Sequence, residues 1–329
     1  MNLPGRVALP RRLADDAHVT DHDALAQLAT DAVHAACRVT QAVREALVTP
    51  ETIQKKDKSP VTVADLAAQV VVAHKLRDTL PLVAEEDAGQ LREEPATLAK
   101  VTELAGSEVE GLSEDDVLRL LDKGDFAGGA GGRFWCLDPI DGTKGFLRGE
   151  HYAVALGLIE DGKPLLGSLG CPALGDGGTV LTATPAGTFS GADKQAVSDA
   201  SVPAEARLVE SVESGHTSQD DSAVIAERLG ITREPVRMDS QAKYAAVAMG
   251  QADVYLRLPT RPGYEERIWD HAAGAVCVTA AGGRVTDVDG KELDFGQGRT
   301  LKHNTGVIAT SGKIHDEVVK AVREVLSRG

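Results

Sequence analysis

Two carboxylates within one short segment are the first candidates for chemistry in this chain. The segment Asp138–Thr143 reads D-P-I-D-G-T and directly follows the apolar run Phe134–Leu137. Asp138 and Asp141 stand three residues apart across a proline of fixed φ, so both can point into one site. Gly142 lets a ligand approach the backbone closely, and the N–H groups around it can face an anion such as phosphate. Taken alone, the segment is also explained as a turn capped by an aspartate.

Three further acidic positions favour a metal site. Asp65 stands at a helix start, Glu85 follows a short apolar run, and Asp270 opens an Ala-rich segment. Each has a simpler explanation: a capping box, a solvated charge run and a helix N-cap. Together the acids occupy the ends of four separate elements. That arrangement suits a two-metal Mg²⁺ site, which takes oxygen ligands around ions ~3.5–4 Å apart.

Hydrophobic periodicity predicts the elements that would position these acids. We expect helices over 20–48 and from Thr62 onward, separated by a polar loop or hairpin over 51–60. Asp161-Gly162 between two apolar runs predicts a hairpin. Strands are predicted at 82–84, Phe134–Leu137, Tyr152–Ile159, Leu165–Leu169 and within 179–189, with a helical insertion over 87–132 that ends in the loop Gly128–Gly132.

Strands and helices alternate after about residue 200. The pattern predicts strands at Leu208–Val212, Val254–Leu258 and Val307–Thr310, and helices at 220–229, 241–249, 270–281 and 314–327. Such alternation favours βαβ units. The expected fold class is therefore α/β: an α+β domain over 1–200 that carries most of the acidic motifs, and an α/β domain over 201–329.

Composition excludes several classes of partner. The 329 residues include 50 acidic and 35 basic side chains, a formal net charge of −15. That charge argues against nucleic acid and anionic membranes as partners. No apolar run approaches the ~20 residues of a membrane helix, and no signal-peptide core is visible. The four cysteines form no C-x-x-C pair, which favours a reducing, cytoplasmic location, with an organelle as the alternative.

The motifs in order resemble a known superfamily over about residues 20 to 325. Asp138–Thr143 and the W-D-H-A-A-G segment Trp269–Gly274 match the signatures of the lithium-sensitive, Mg²⁺-dependent sugar phosphatases, which include inositol monophosphatase and fructose-1,6-bisphosphatase. Within it, Ser59–Asp65, Asp239–Tyr244 and Ala252–Pro259 are most similar to the 3′(2′),5′-bisphosphate nucleotidases of fungi and plants. The resemblance implies a layered αβαβα sandwich and two or three Mg²⁺ ions.

The resemblance also implies roles for individual residues. Asp65 and Thr143 would pair to activate the attacking water. Ala84 stands before Glu85 where many relatives have Gly, which is a mild departure. Metal ligands would be Asp65, Glu85, Asp138, the Ile140 carbonyl, Asp141 and Asp270. Substrate would be bound by Gly142, Thr143, Ser240, Lys243 and Arg257 around the phosphates and by His216 near the base.

The expected function is hydrolysis of the 3′-phosphate of adenosine 3′,5′-bisphosphate, with 3′-phosphoadenylyl sulfate as a second substrate. Cations near a site rich in carboxylates make sense, because Arg and Lys can hold a second phosphate away from the metals. The simpler alternative is that Lys243 and Arg257 only keep the surface soluble. Two functional alternatives remain open: an inositol polyphosphate 1-phosphatase, and a non-catalytic phosphonucleotide sensor on the same fold.

Overall fold

The first half of the chain builds a sheet of seven strands. The computed structural model describes residues 19–47, 60–77, 79–215, 217–261 and 263–327. Within them the first sheet has the order β1 to β7, with β1 parallel to β2 and each later pair antiparallel. Its strands are β1 (Leu82–Ala84), β2 (Arg133–Asp141), β3 (Ala153–Glu160), β4 (Lys163–Cys171), β5 (Thr179–Thr184), β6 (Gly187–Ser190) and β7 (Asp193–Gln195).

The second half builds a mixed sheet of five strands. These are β8 (Leu208–Glu210), β9 (Val236–Arg237), β10 (Val254–Arg257), β11 (Arg284–Thr286) and β12 (Val307–Thr310), in the order β11-β12-β10-β8-β9. β8 runs parallel to β10, as the predicted βαβ units require. β12 runs antiparallel to both its neighbours, so the βαβ units do not extend to this strand.

Helices cover both faces of each sheet. They are α1 (Val19–Leu47), α2 (Pro60–Leu76), α3 (Pro95–Gly106), α4 (Glu114–Asp122), α5 (Thr143–Arg148), α6 (Gln219–Leu229), α7 (Ala242–Ala248), α8 (Ala272–Ala280) and α9 (His315–Leu326). α1 and α2 pack on the outer face of the first sheet, and α6 and α9 on the outer face of the second. α7 and α8 lie between the sheets, which gives the predicted αβαβα sandwich.

Alternating side chains along β2 explain why the first sheet is covered on both faces. Trp135 and Leu137 join the core under α1 and α2, whereas Phe134 and Cys136 join the core that contains α7 and α8. All four are fully buried, so this strand has no solvent-facing side over that stretch. The period-two geometry of a strand therefore assigns each apolar residue to one of two cores.

The largest difference from expectation lies at the end of β2. The sequence places a turn after Leu137, but the strand continues to Asp141. Asp138 pairs with Ala155 and Asp141 with Ala153, so one extra residue bulges out between them. A bulge of this kind accommodates a proline that cannot donate to the ladder, and it re-aims the side chains beside it.

Most of the other predicted elements lie close to their expected positions. Asp161 and Gly162 both have positive φ in the predicted hairpin between β3 and β4. α3 and α4 form the predicted helical insertion. Residues 51–59 lie outside the described residues, and the domain division near residue 200 stays a prediction. No helix within the described ranges is long and apolar enough to cross a membrane.

Candidate metal and phosphate site

A cavity of about 420 Å³ brings most of the predicted site residues together. Its walls come from the ends of β1 and β2, from α5 and α7, from β10 and from the segment before α8. The predicted residues that line it are Glu85, Asp138, Ile140, Asp141, Gly142, Thr143, Ser240, Lys243, Arg257 and Asp270.

Asp138 and Asp141 flank the bulge at the end of β2 and have different surroundings. Asp141 accepts a hydrogen bond from the backbone N–H of Gln241, which ties β2 to the start of α7. Asp138 is buried, and its Oδ1 has no hydrogen-bond partner among the described residues. A buried carboxylate oxygen without a donor is costly, and a cation is one group that would satisfy it.

Burial and mutual repulsion make it unfavourable for all the acids of the cluster to be ionised at once. Burial, and then the charges of neighbouring acids, raise the pKa of Asp138 well above its usual range. The same two causes raise the pKa of Glu85 to about 7. Burial raises the pKa of Asp270 to about 7 although Arg257 opposes the shift. Carboxylates that repel each other in a buried cavity are a hard-oxygen donor set, so these residues fit Mg²⁺.

Asp65 lies beside the cavity rather than in its lining. It is a buried residue of α2, and burial together with the nearby charges of Glu86 and Glu85 raises its pKa well above normal. One turn along α2, the buried Gln69 donates to the Glu86 carbonyl at 2.7 Å and accepts from the Glu86 N–H at 3.1 Å. This reciprocal pair fixes the segment that carries Glu85 against the helix that carries Asp65.

Thr143 is exposed at the start of α5 and lines the cavity. No hydrogen bond joins it to Asp65 in the described part of the chain, so their pairing stays a prediction. His216 lies outside the described residues, and its predicted contact with the base likewise stays a prediction.

Lys243 and Arg257 lie at the cavity, so the alternative of two surface solubilising cations is wrong. Lys243 is 3% exposed, and its Nζ donates to the Met238 carbonyl at 3.1 Å and stands 5.2 Å from the centre of the Tyr255 ring. Burial lowers the pKa of Lys243 to about 8. The Arg257 side chain is 15% exposed and forms ion pairs with Glu266 at 2.7 Å and Asp270 at 3.3 Å.

A hydrogen-bonded chain behind the cavity holds Arg257 in place. Tyr244 Oη lies 2.8 Å from His271 Nδ1, and His271 Nε2 lies 3.3 Å from Glu266 Oε2, the atom that also pairs with Arg257. Burial alone would raise the pKa of Glu266, but His271 and Arg257 lower it to about 2. Glu266, Asp270 and His271 place three potential ligand atoms within 4.8 Å of one another. Because Glu266 is already neutralised by Arg257, Glu266 and His271 position that arginine better than they would bind a metal.

Two backbone conformations allow Ser240 to approach the end of β2. Gly142 has φ of 87° and Ser240 has φ of 63°. A Cβ atom on Gly142 would lie 2.8 Å from the Cβ of Ser240, which is too close. Gly142 is thus needed both for its left-handed conformation and for the contact between the two halves of the cavity.

Sequence reasoning missed several residues that position the site. Gln241 donates to the Trp269 carbonyl and accepts from the Gly274 N–H, both at 2.9 Å, and so joins α7 to the segment of Asp270. Arg299 donates to the carbonyls of Ala84, Gly124 and Phe126 and lies over the Trp269 ring at 4.9 Å. Both act through long-range backbone contacts, which no local pattern reveals.

Comparison with known proteins agrees with this geometry. Residues 24–327 match the profile described as the inositol monophosphatase family. A 3′(2′),5′-bisphosphate nucleotidase of Emericella nidulans is 44% identical over 321 residues, which cover 84% of this chain and 91% of that protein. One of Schizosaccharomyces pombe is 41% identical, with 93% and 97% covered. The inositol monophosphatase structure from Anabaena superposes with a TM-score of 0.64 at 22% identity, covering 94% of this chain and all of that one.

Proposed function

The chain belongs to the inositol monophosphatase family, and we propose that it is a Mg²⁺-dependent phosphomonoesterase that converts adenosine 3′,5′-bisphosphate to AMP and phosphate. 3′-Phosphoadenylyl sulfate is the proposed second substrate. The observation that carries the proposal is the pairing, in one cavity, of an acidic cluster with two largely buried cations, Lys243 and Arg257. Relatives about 40% identical over most of the chain are named for this activity.

The acids have the chemistry that Mg²⁺ requires. The inositol monophosphatase family is generally Mg²⁺-dependent, and we propose two or three ions in this protein. Their ligands would be Asp65, Glu85, Asp138, the Ile140 carbonyl, Asp141 and Asp270. Bound there, Mg²⁺ would neutralise the phosphoryl oxygens and make water more acidic.

The remaining residues would orient the reactants. We propose that Asp65 and Thr143 hold the attacking water and accept its proton. The water oxygen would then bond to phosphorus as the bond to the 3′-oxygen breaks. That oxygen would take a proton from a solvent water and leave as the hydroxyl of AMP, and Asp65 would return its proton to solvent. Lys243, Arg257 and Ser240 would hold the 5′-phosphate, so that only the 3′-phosphate reaches the acids. Charge and positioning dominate catalysis in such loose transition states.

Phosphate release with Mg²⁺ tests the proposal. Adenosine 3′,5′-bisphosphate is compared with inositol 1,4-bisphosphate and inositol 1-phosphate, with and without Li⁺. We expect fast, Li⁺-sensitive release from the nucleotide and none from Asp141→Asn. Release only from the inositol compounds would indicate the polyphosphate 1-phosphatase instead. Tight nucleotide binding without release from any substrate would indicate the sensor.

Lys243 can be tested as a selector of the nucleotide. Lys243→Met removes a cation at the cavity, so KM for the bisphosphate should rise at least tenfold, because a charge-assisted hydrogen bond contributes about 1.5–3 kcal/mol. Lys320→Met is the matched control, since Lys320 is exposed on the outer helix α9. Equal KM values in the two variants would exclude Lys243 as a substrate-binding residue.

A further inference from the structure

The cavity has groups for phosphate but little for an adenine ring. Its lining is mainly carboxylates, three cations, hydroxyls, an amide and backbone. The apolar side chains of Ile140 and Tyr255 also line it, but they are 1% and 2% exposed and offer almost no free surface. A nucleotide substrate therefore needs an aromatic or apolar surface nearer the mouth of the cavity.

Tyr264 supplies such a surface. It lines the same cavity, and 39% of the residue is exposed. The guanidinium of Arg261 lies 4.6 Å from the centre of its ring and covers one face. An accessible aromatic ring in the lining of a cavity offers a face on which a planar ligand can stack.

The segment that carries Tyr264 is fixed on its C-terminal side. The neighbouring Glu265 accepts a hydrogen bond from the Thr300 hydroxyl at 2.6 Å. The Glu266 carbonyl accepts from the Leu301 N–H at 2.8 Å, and its carboxylate is held by Arg257. The backbone that follows Tyr264 is thus held close to Arg257, the cation proposed to hold the 5′-phosphate.

We propose that Tyr264 is the specificity residue on which the adenine ring of the substrate stacks, a role that rests on the proposed nucleotidase function. The free face of the ring, opposite Arg261, takes the base, while Lys243 and Arg257 take the phosphate. Stacking on an aromatic side chain is worth roughly a ten- to hundredfold gain in binding for any base. Inositol phosphates carry no aromatic ring and gain nothing from it.

Steady-state kinetics on two substrates tests this role. Tyr264→Ala should raise KM for adenosine 3′,5′-bisphosphate about tenfold or more with kcat nearly unchanged, and leave KM for inositol 1,4-bisphosphate unaltered. Tyr264→Phe keeps the ring and should restore the wild-type value. Leu147→Ala is the control, because Leu147 is 52% exposed on the nearby α5 and does not line the cavity. An unchanged KM for the nucleotide in Tyr264→Ala, or an equal rise for both substrates, overturns the role.

Equilibrium binding separates this inference from the proposed function. If the wild-type protein releases no phosphate from the bisphosphate, the nucleotidase proposal is wrong, whatever the role of Tyr264. Calorimetric titration with AMP and with ribose 5-phosphate still measures what the base contributes. Stacking of the base on Tyr264 requires AMP to bind more tightly than ribose 5-phosphate. It also requires Tyr264→Ala to remove that difference. Equal affinities in the wild type overturn it.

Discussion

Two buried aspartates show how differently one residue type is used in this protein. Burial alone would raise the pKa of Asp253, but hydrogen bonds from Arg207 and Ser198 lower it. Among the described residues, Asp138 Oδ1 has no hydrogen-bond partner, and burial together with the neighbouring acids raises the pKa of Asp138. The first aspartate stabilises the fold as an anion, whereas the second is an unfavourable anion in the absence of a cation.

Asparagine substitutions should therefore have opposite effects at the two positions. Asp253→Asn should lower the free energy of unfolding by about 1–3 kcal/mol, because it leaves the Arg207 donors poorly paired. Asp138→Asn should leave the unfolding temperature in EDTA equal to or above that of the wild type, because it removes repulsion. The same variant should lose turnover and the rise in unfolding temperature that Mg²⁺ produces. Thermal unfolding with EDTA and with Mg²⁺ measures both, and a strongly destabilised Asp138→Asn in EDTA would contradict this account.

At the level of elements, α8 can lie between the sheets because its inner residues are small. A Cβ on Gly274 would stand 2.3–2.8 Å from atoms of Tyr244 on α7. On the facing strands, a Cβ on Gly157 would stand 3.0 Å from Ala272, and one on Gly167 would stand 3.0 Å from Val276. The W-D-H-A-A-G motif therefore has a packing role besides its acid: it brings α7 and its Lys243 close to Asp270.

Gly274→Ala should force α7 away from α8. Overpacking of this kind costs about 1–3 kcal/mol of stability, and it should also reduce kcat/KM because the two sides of the cavity separate. Gly106→Ala in α3 is the matched control, since a Cβ there has open space and alanine favours a helix. Chemical denaturation of both variants checks the difference. A Gly274→Ala protein as stable and active as Gly106→Ala would show that α8 tolerates a wider spacing.

The elements also mark how far the sequence alone predicts this fold. Long periodic segments such as α1 and β3 are confirmed within one or two residues, because their apolar faces repeat enough to be recognised. The short edge strand β9 and the strand β11 were not predicted, since two or three residues carry no periodicity and neither strand is a continuous apolar run like Leu82–Ala84. The acids of the site were predicted from their positions at the ends of separate elements, whereas their individual roles and the substrate-binding residues came from motif resemblance. Gln69, Gln241 and Arg299 were not predicted, because their contacts are long-range bonds to backbone groups.

At the scale of the whole molecule, the cavity joins the two halves of the chain. Glu85, Asp138 and Asp141 come from the first sheet or its end, while Lys243 and Asp270 come from the second half. Neither half alone carries the full set of acids and cations. The formal charge of −15 destabilises the compact state through self-repulsion. We therefore expect bound metal and substrate, which contact both halves, to stabilise the folded molecule.

A buried histidine outside the cavity, His315, also influences how the stability of the molecule responds to acid. His315 is fully buried at the start of α9, and its ring nitrogens pair with the hydroxyls of Thr286 and Thr310, each at 2.9 Å. Burial, and then the charge of Arg284, lower the pKa of His315 from 6.5 to about 4, while Asp316 opposes the shift. The folded state thus holds this histidine neutral where the unfolded chain would protonate it.

This shift predicts a loss of stability on acidification. With a lowered folded pKa, the contribution of His315 is fully present above pH 6.5 and is lost as the pH falls toward 4, by about 3 kcal/mol in total. His315→Gln cannot titrate, so its unfolding free energy should fall less steeply over that range, although it starts lower at pH 7.5. His34→Gln, at an exposed position on α1, should follow the wild type.

The raised pKa values of Glu85 and Asp270 change stability in the opposite direction as the pH falls, but equally in all three proteins. The difference in slope therefore isolates the effect of His315. Urea unfolding between pH 4 and 7.5 measures these slopes, and parallel curves for wild type and His315→Gln would exclude this histidine as a source of acid sensitivity.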